Sequence, residues 1–267
     1  MDIEPAVRVV RAIGHVMLEN LYPRKTSCMF CGRYWHGGRL TAGLCPQCLL
    51  EWRRFRGQAK ICPICGSFDS GEPCGGPCMG KPGAWPYRVG GLASIVAAAP
   101  YTGVYRQRIM AFKYNGQKQM AAPLAYLMAE AWRAGGFIGG RPCLVPVPMF
   151  HEKEAARGYN QSRLLAESLR RETGFPMAEL LCRPVAGRVQ AGLDSKQRRH
   201  ALDQVIQWAG AGQPKPGPAI IVDDVVTTGA TLESCAGILR LQGYKPIWGL
   251  AFAGGSGAKG DTVHRSL

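Results

Sequence analysis

Residues Ala219–Thr231 read AIIVDDVVTTGAT. The apolar run Ala219–Val222 is short and unbroken, as expected of a strand covered on both faces. It runs straight into two aspartates, Asp223 and Asp224. Small and hydroxylated residues follow: Val226, Thr227, Thr228, Gly229, Ala230 and Thr231. The next stretch, TLESCAGILRLQG, spaces Leu232, Cys235 and Leu239 along one helical side and closes on Gly243. The unit is therefore strand, loop, helix. In open α/β sheets, ligands bind at the carboxyl ends of strands, where such a loop reaches a helix N-terminus.

A loop of small residues aims several backbone N–H groups at one point. Together with the helix dipole they make an anion cradle. The threonine hydroxyls add donors, and Gly229 lets the backbone approach closely. The loop has no GK[ST], which excludes a Walker A site, and its single glycine excludes a dinucleotide fingerprint. Carboxylates just ahead of the cradle would repel phosphate but accept hydrogen bonds from sugar hydroxyls. The ligand that fits both is a sugar with a 5-phosphate and vicinal hydroxyls, a phosphorylated ribose. The alternative is a metal held by Asp223 and Asp224, as in receiver-like or Walker B sites. It accounts for the acids but not for the threonine-rich loop.

The rest of the chain carries the same alternation. VGGLASIVAAAPYTGVYRQRIMAFKYNG predicts two strands about a turn, then a short helix ending near Tyr114–Gly116. MAAPLAYLMAEAWRAGG predicts a helix closing on Gly135–Gly136, and CLVPVP (143–148) a buried strand stopped by prolines. NQSRLLAESLRRETG predicts a helix capped by Asn160 and ended by Gly174, with Leu164, Leu165 and Leu169 on one face. Arg157 stands beside Gly158 in an expected loop. KPIWGLAFA predicts the last strand. Strands alternating with helices imply a mainly parallel, doubly wound α/β sheet. Hydrophobic residues make up 46% of the 267, enough for a real core.

Eight of the eleven cysteines lie between positions 28 and 78, in four pairs: Cys28/Cys31, Cys45/Cys48, Cys62/Cys65 and Cys74/Cys78. A two-residue gap lets both thiolates of a knuckle face one tetrahedral ion, which points to structural zinc, two ions in all. Sequential sites (28/31/45/48 and 62/65/74/78) and an interleaved cross-brace both remain open. Disulfides are disfavoured in a chain without an export signal. The N-terminal stretch has charges within its apolar pattern and reads as an amphipathic helix over 1–24, so a cytoplasmic protein is expected. No apolar run is long enough to span a bilayer. Cys143, Cys182 and Cys235 read as small core residues. The organisation expected is 25–80 zinc module, 81–88 linker, 89–253 α/β domain and 254–267 flexible tail.

The formal charge is +15, of which residues 1–80 carry +4 and residues 81–267 carry +11. Each four-thiolate zinc unit adds about −2, so the basic excess belongs to the α/β part. It suits nucleic acid or a small, heavily phosphorylated substrate; a merely soluble basic surface is the third possibility.

AIIVDDVVTTGAT resembles the phosphoribosyl pyrophosphate (PRPP) motif of type I phosphoribosyltransferases. The chain from about 25 to 253 resembles the ComF family (ComF/ComFC, GntX-like), through that motif, the cysteine pairs, FKYNG, LVPVP, RGYNQ and QAGLDSKQRR. The resemblance implies a type I phosphoribosyltransferase fold and transfer of a pentosyl group, with Mg2+ accompanying PRPP and pyrophosphate leaving. Asp223 and Asp224 would hold the ribose hydroxyls, and Val226–Thr231 the 5-phosphate. Pro146, Val147 and Pro148 would form the pyrophosphate loop. Lys113, Arg157 and Arg198 would serve as cations near pyrophosphate, the last from a closing loop over 188–199. Asn160 and Gln161 would orient the Arg157 segment. Relatives tend to carry asparagine and an aromatic residue after that loop; here Ala201 and Ile206 stand in those places. The resemblance also implies a competence-linked role, with single-stranded DNA and DNA-uptake or helicase proteins as partners. In that second reading the zinc module and basic surface handle DNA, and PRPP is regulatory or vestigial. No segment marks an acceptor pocket.

Overall fold

A computed structural model describes residues 26–36, 38–62, 65–68, 91–136, 140–183, 206–210 and 216–255. The expected 1–24 helix, the 81–88 linker, Cys74, Cys78, the closing loop with Arg198 and Ala201, and all but the first two residues of the expected tail lie outside these residues. The chain divides into two compact units, 1–53 and 54–267.

In the first unit, strands β1 (Thr26–Ser27) and β2 (Tyr34–Trp35) form an antiparallel pair. The turn between them carries Cys28 and Cys31. A second turn delivers Cys45 to the start of helix α1 (Pro46–Gln58), whose proline occupies the first helical position, where its missing N–H costs nothing. Phe30 and Leu44 are buried here alongside Cys28 and Cys45. So small a core needs a staple.

In the second unit, a four-stranded parallel sheet runs in the order β3-β8-β7-β4, with β3 Leu92–Pro100, β4 Cys143–Pro146, β7 Ala219–Val226 and β8 Ile247–Gly254. The strands read as near-continuous small and β-branched apolar runs because both faces are covered. Helix α3 (Ala121–Ala134) and helix α5 (Gln161–Thr173) pack together on one face. Helix α6 (Ala230–Leu241) covers the other, setting Leu232, Cys235 and Leu239 against Ile95, Val145, Ile221 and Ala251. Gly249 makes that approach possible: a Cβ there would stand 2.8 Å from Leu232 Cδ1. The doubly wound parallel architecture expected from the alternation is the one observed.

Three local readings need correction. Residues 92–100 form one strand, not two. The turn at Tyr101–Thr102 leads into helix α2 (Gly103–Tyr114) because Thr102, with extended backbone, starts a helix instead of returning a hairpin. Arg157 is not in a loop. It ends a short helix α4 (His151–Arg157), stopped by Gly158 in the left-handed conformation at φ 78°. Strand β7 does not stop at Val222 but carries both aspartates within its pairing to β8. A short antiparallel pair, β5 (Leu181–Cys182) with β6 (Gln207–Trp208), lies outside the main sheet and was not anticipated.

Candidate functional site

β7 lies between β8 and β4, so its carboxyl end has a neighbour on each side, and in open α/β sheets the crevice beyond such a strand end is where ligands bind. Asp224 is 8% exposed and ion-paired at 2.9 Å with Lys113 Nζ, from the last turn of α2. Asp223 Oδ1 accepts from the Ser162 hydroxyl at 3.0 Å and from the Asp224 N–H at 2.8 Å. Burial, then the neighbouring Asp224 charge, push the Asp223 carboxyl up to about 7; the Asp224 N–H, Ser162 and Lys113 act against that rise. Asp223 thus sits where small changes in its surroundings decide its charge.

Asn160 organises the other flank. Its side-chain oxygen accepts from the N–H groups of Ser162 (3.0 Å) and Arg163 (3.4 Å), capping α5. Its amide donates to Val147 O at 3.1 Å. Val147 N–H in turn donates to Val222 O at 3.0 Å. The turn Pro146–Val147–Pro148 is therefore pinned from both sides, next to Asp223. Arg157 donates to the Gln161 side chain at 3.2 Å, and its guanidinium lies 5.0 Å from the Tyr114 ring centre. Tyr159 donates its hydroxyl to Phe112 O. Through these contacts the KYNG and RGYNQ segments form one cationic flank.

Beyond the acids, Thr227 and Thr228 are exposed, and Gly229 adopts the left-handed conformation at φ 75° as the N-cap of α6. The strand–loop–helix unit read from the sequence has this geometry. The two exposed threonines lie at the N-terminus of a twelve-residue helix.

The first cysteine unit is compact. The sulfurs of Cys28, Cys31, Cys45 and Cys48 all lie within 4.8 Å of one another. Cys28 and Cys48 are 3.8 Å apart and Cys31 and Cys45 3.9 Å, close to the edge of a zinc–thiolate tetrahedron with bonds of about 2.3 Å. N–H groups of Phe30 (3.4 Å) and Cys45 (3.3 Å) point at Cys28 Sγ. Burial pushes the Cys28 thiol up, but hydrogen bonds from the backbone at Cys31, Cys45 and Phe30 prevail and bring it to about 7. Four soft donors at this spacing, with amides ready to offset thiolate charge, fit a zinc knuckle.

Comparison with known proteins finds relatives over most of the chain. Competence protein F of Haemophilus influenzae is 30% identical over 220 residues, covering 79% of this chain and 91% of that protein. The chain belongs to the ComF family. DNA utilization protein YhgH of Escherichia coli K12 is 30% identical, covering 77% of this chain and 87% of its own length. Competence protein ComFC of Bacillus subtilis is 25% identical, covering 75% and 79%. No protein-family model matches the chain.

In this ComF-family chain the structure gathers Asp223, Asp224, Lys113 and residues Val226–Thr231 at one strand end, with Pro146–Pro148 beside them; of the expected loop only Thr227, Thr228 and Gly229 lie between β7 and α6. Arg157 stands on the adjoining flank, held by Tyr114 and Gln161. Cys28, Cys31, Cys45 and Cys48 form one cluster. Cys62 and Cys65 are both buried, in the larger unit. Ser162 was missed. Its place in an ordinary helix start, QSRLL, carried no signal of its contact with a strand 61 residues later. Among the described residues, no helix is long and apolar enough to cross a membrane.

Proposed function

We propose that this protein binds PRPP at the carboxyl end of β7 and is a phosphoribosyltransferase-like member of its family. The observation that carries the reading is the acid pair, half-buried Asp223 backed by Ser162 and buried Asp224 by Lys113, directly before a threonine-rich helix N-terminus. Asp223 and Asp224 would accept from the ribose hydroxyls, and the loop would hold the 5-phosphate. The turn Pro146–Pro148 and the cations Lys113 and Arg157 would take the diphosphate. Transfer from such a sugar passes through an oxocarbenium-like state, so placement and charge stabilisation carry the rate. Lys113 would exchange Asp224 for the incoming anion, freeing that carboxylate for the sugar. Arg198 is assigned here as a further cation by family resemblance alone. Mg2+ would arrive with the substrate and offset its diphosphate charge. The acceptor is left open.

The names of the relatives, competence protein F, ComFC and DNA utilization protein, support a competence-related role in DNA handling for this chain. The test of the PRPP reading is calorimetric titration with PRPP and Mg2+. Saturable one-site binding in the micromolar range is expected; the absence of heat up to millimolar PRPP would sink it.

A second reading has its own observation. Tyr34 is 64% exposed on β2, between Arg33 and Trp35, with Arg39 nearby in sequence. Residues 26–50 contain no Asp or Glu. An exposed ring next to a cation suits stacking with single-stranded nucleic acid. Tyr34→Ala should weaken binding of a single-stranded oligonucleotide roughly tenfold, while wild-type affinity falls steeply with salt. Unchanged affinity would remove the stacking role.

A further inference from the structure

Arg183 follows β5 and is half-buried. Its Nε donates to Pro148 O at 2.9 Å, and its guanidinium lies 4.9 Å from the Phe150 ring centre. Phe150 is the N-cap residue of α4, two residues after Pro148. Pro148 belongs to the turn that Asn160 and Val222 pin beside Asp223. A cation on a long, flexible stem is thus fixed in one place by a carbonyl and an aromatic face. Both of these belong to the segment that leaves β4 at the rim of the crevice. Such a preorganised, planar cation loses little freedom on binding an anion, and its fork matches phosphate oxygens. Burial, then the Asp223 charge, push the Cys235 thiol of α6 up, and the Arg183 charge acts against that rise.

We propose that Arg183 is an anion-recognition residue of this crevice, held against Pro148 and Phe150 so that its guanidinium meets the diphosphate group rather than the sugar 5-phosphate. The inference rests on the phosphoribosyl reading and extends it by adding Arg183 to the residues on the diphosphate side. The Val226–Thr231 loop takes the monoester on one side of β7, and Arg183 with the turn takes the diphosphate on the other. No sequence motif marks this role, because Arg183 lies 35 residues beyond the carbonyl that fixes it.

The experiment compares two partial ligands, Mg2+–pyrophosphate and ribose 5-phosphate, on the full-length protein. Wild type is expected to bind both. Arg183→Ala should lose at least tenfold in pyrophosphate affinity and keep its ribose 5-phosphate affinity within twofold. Arg183→Lys keeps the charge but not the fork or the stacking, and should recover only part of the loss. Equal pyrophosphate affinity in Arg183→Ala and wild type would overturn the assignment while leaving the phosphoribosyl reading intact. Loss of both ligands together with a lowered melting temperature would overturn it in favour of a packing role. If wild type binds neither ligand, the phosphoribosyl reading itself fails, and this inference falls with it.

Discussion

Asp223→Asn is expected to lose PRPP and to gain stability. The asparagine keeps a side-chain oxygen for the Ser162 hydroxyl and the Asp224 N–H, so the local geometry should survive. The charged acceptor for the ribose hydroxyls is gone. At about 1.5–3 kcal/mol for each hydrogen bond to a charged group, loss of two implies roughly a hundredfold or more in affinity. Stability should move the opposite way. In the folded protein this carboxyl titrates at about 7, against about 4 in an unfolded chain. Between those values the native state holds a proton that the unfolded state has released, so wild-type stability falls as pH rises from about 4 to 7. At pH 8 the variant is spared that penalty and should be more stable by roughly 1–3 kcal/mol. Wild-type PRPP binding should also tighten from pH 6 to 8 as Asp223 ionises, beyond any change shown by the variant. Calorimetry and thermal melts at pH 6 and 8 test all three statements. Undiminished affinity in Asp223→Asn would end the sugar-binding assignment, and a lower melting temperature at pH 8 would contradict the buried-charge account.

Cys28→Ser should have the largest effect on the small unit. Cys28 Sγ receives two backbone N–H groups and sits 3.8 Å from Cys48 Sγ, so it is the best-supported of the four donors. Structural zinc contributes about 10–16 kcal/mol of apparent binding energy in small knuckles, more than the core of Phe30 and Leu44 can replace. Loss of one zinc equivalent is expected, with hydrogen-exchange protection lost over 26–50 and retained in the four-stranded sheet. Zinc release with a thiol reagent gives the stoichiometry. Full zinc content at normal stability would remove Cys28 from the ligand set.

The sequence made the sheet legible because β3, β4, β7 and β8 are short runs of small and β-branched residues separated by helices with clear apolar stripes. Asn160, by its side-chain acceptor, and Gly174, by its backbone freedom at φ 71°, marked the ends of α5, and the structure places them there. Leu165 and Leu169 are fully buried, while Leu164 turns partly outward. The acid pair and its loop were legible because carboxylates inside an apolar strand have few other uses. What escaped was of two kinds. Helix α4, HEKEAAR, has no apolar stripe and buries none of its residues, so periodicity could not reveal it. Ser162 and Arg183 matter through contacts across 61 and 35 residues, and nothing local distinguishes them from any other serine or arginine.

The placement of β7 between β8 and β4 has an evolutionary consequence. The residues that hold the sheet together, such as Ile221 and Ala251, are separate from those that line its carboxyl rim. Connecting segments at the rim can be lengthened, shortened or rewritten while the hydrophobic layers beneath stay constant. A lineage can therefore change what it accepts at this crevice without first relearning how to fold, and relatives that share only a quarter to a third of their residues can keep the same scaffold.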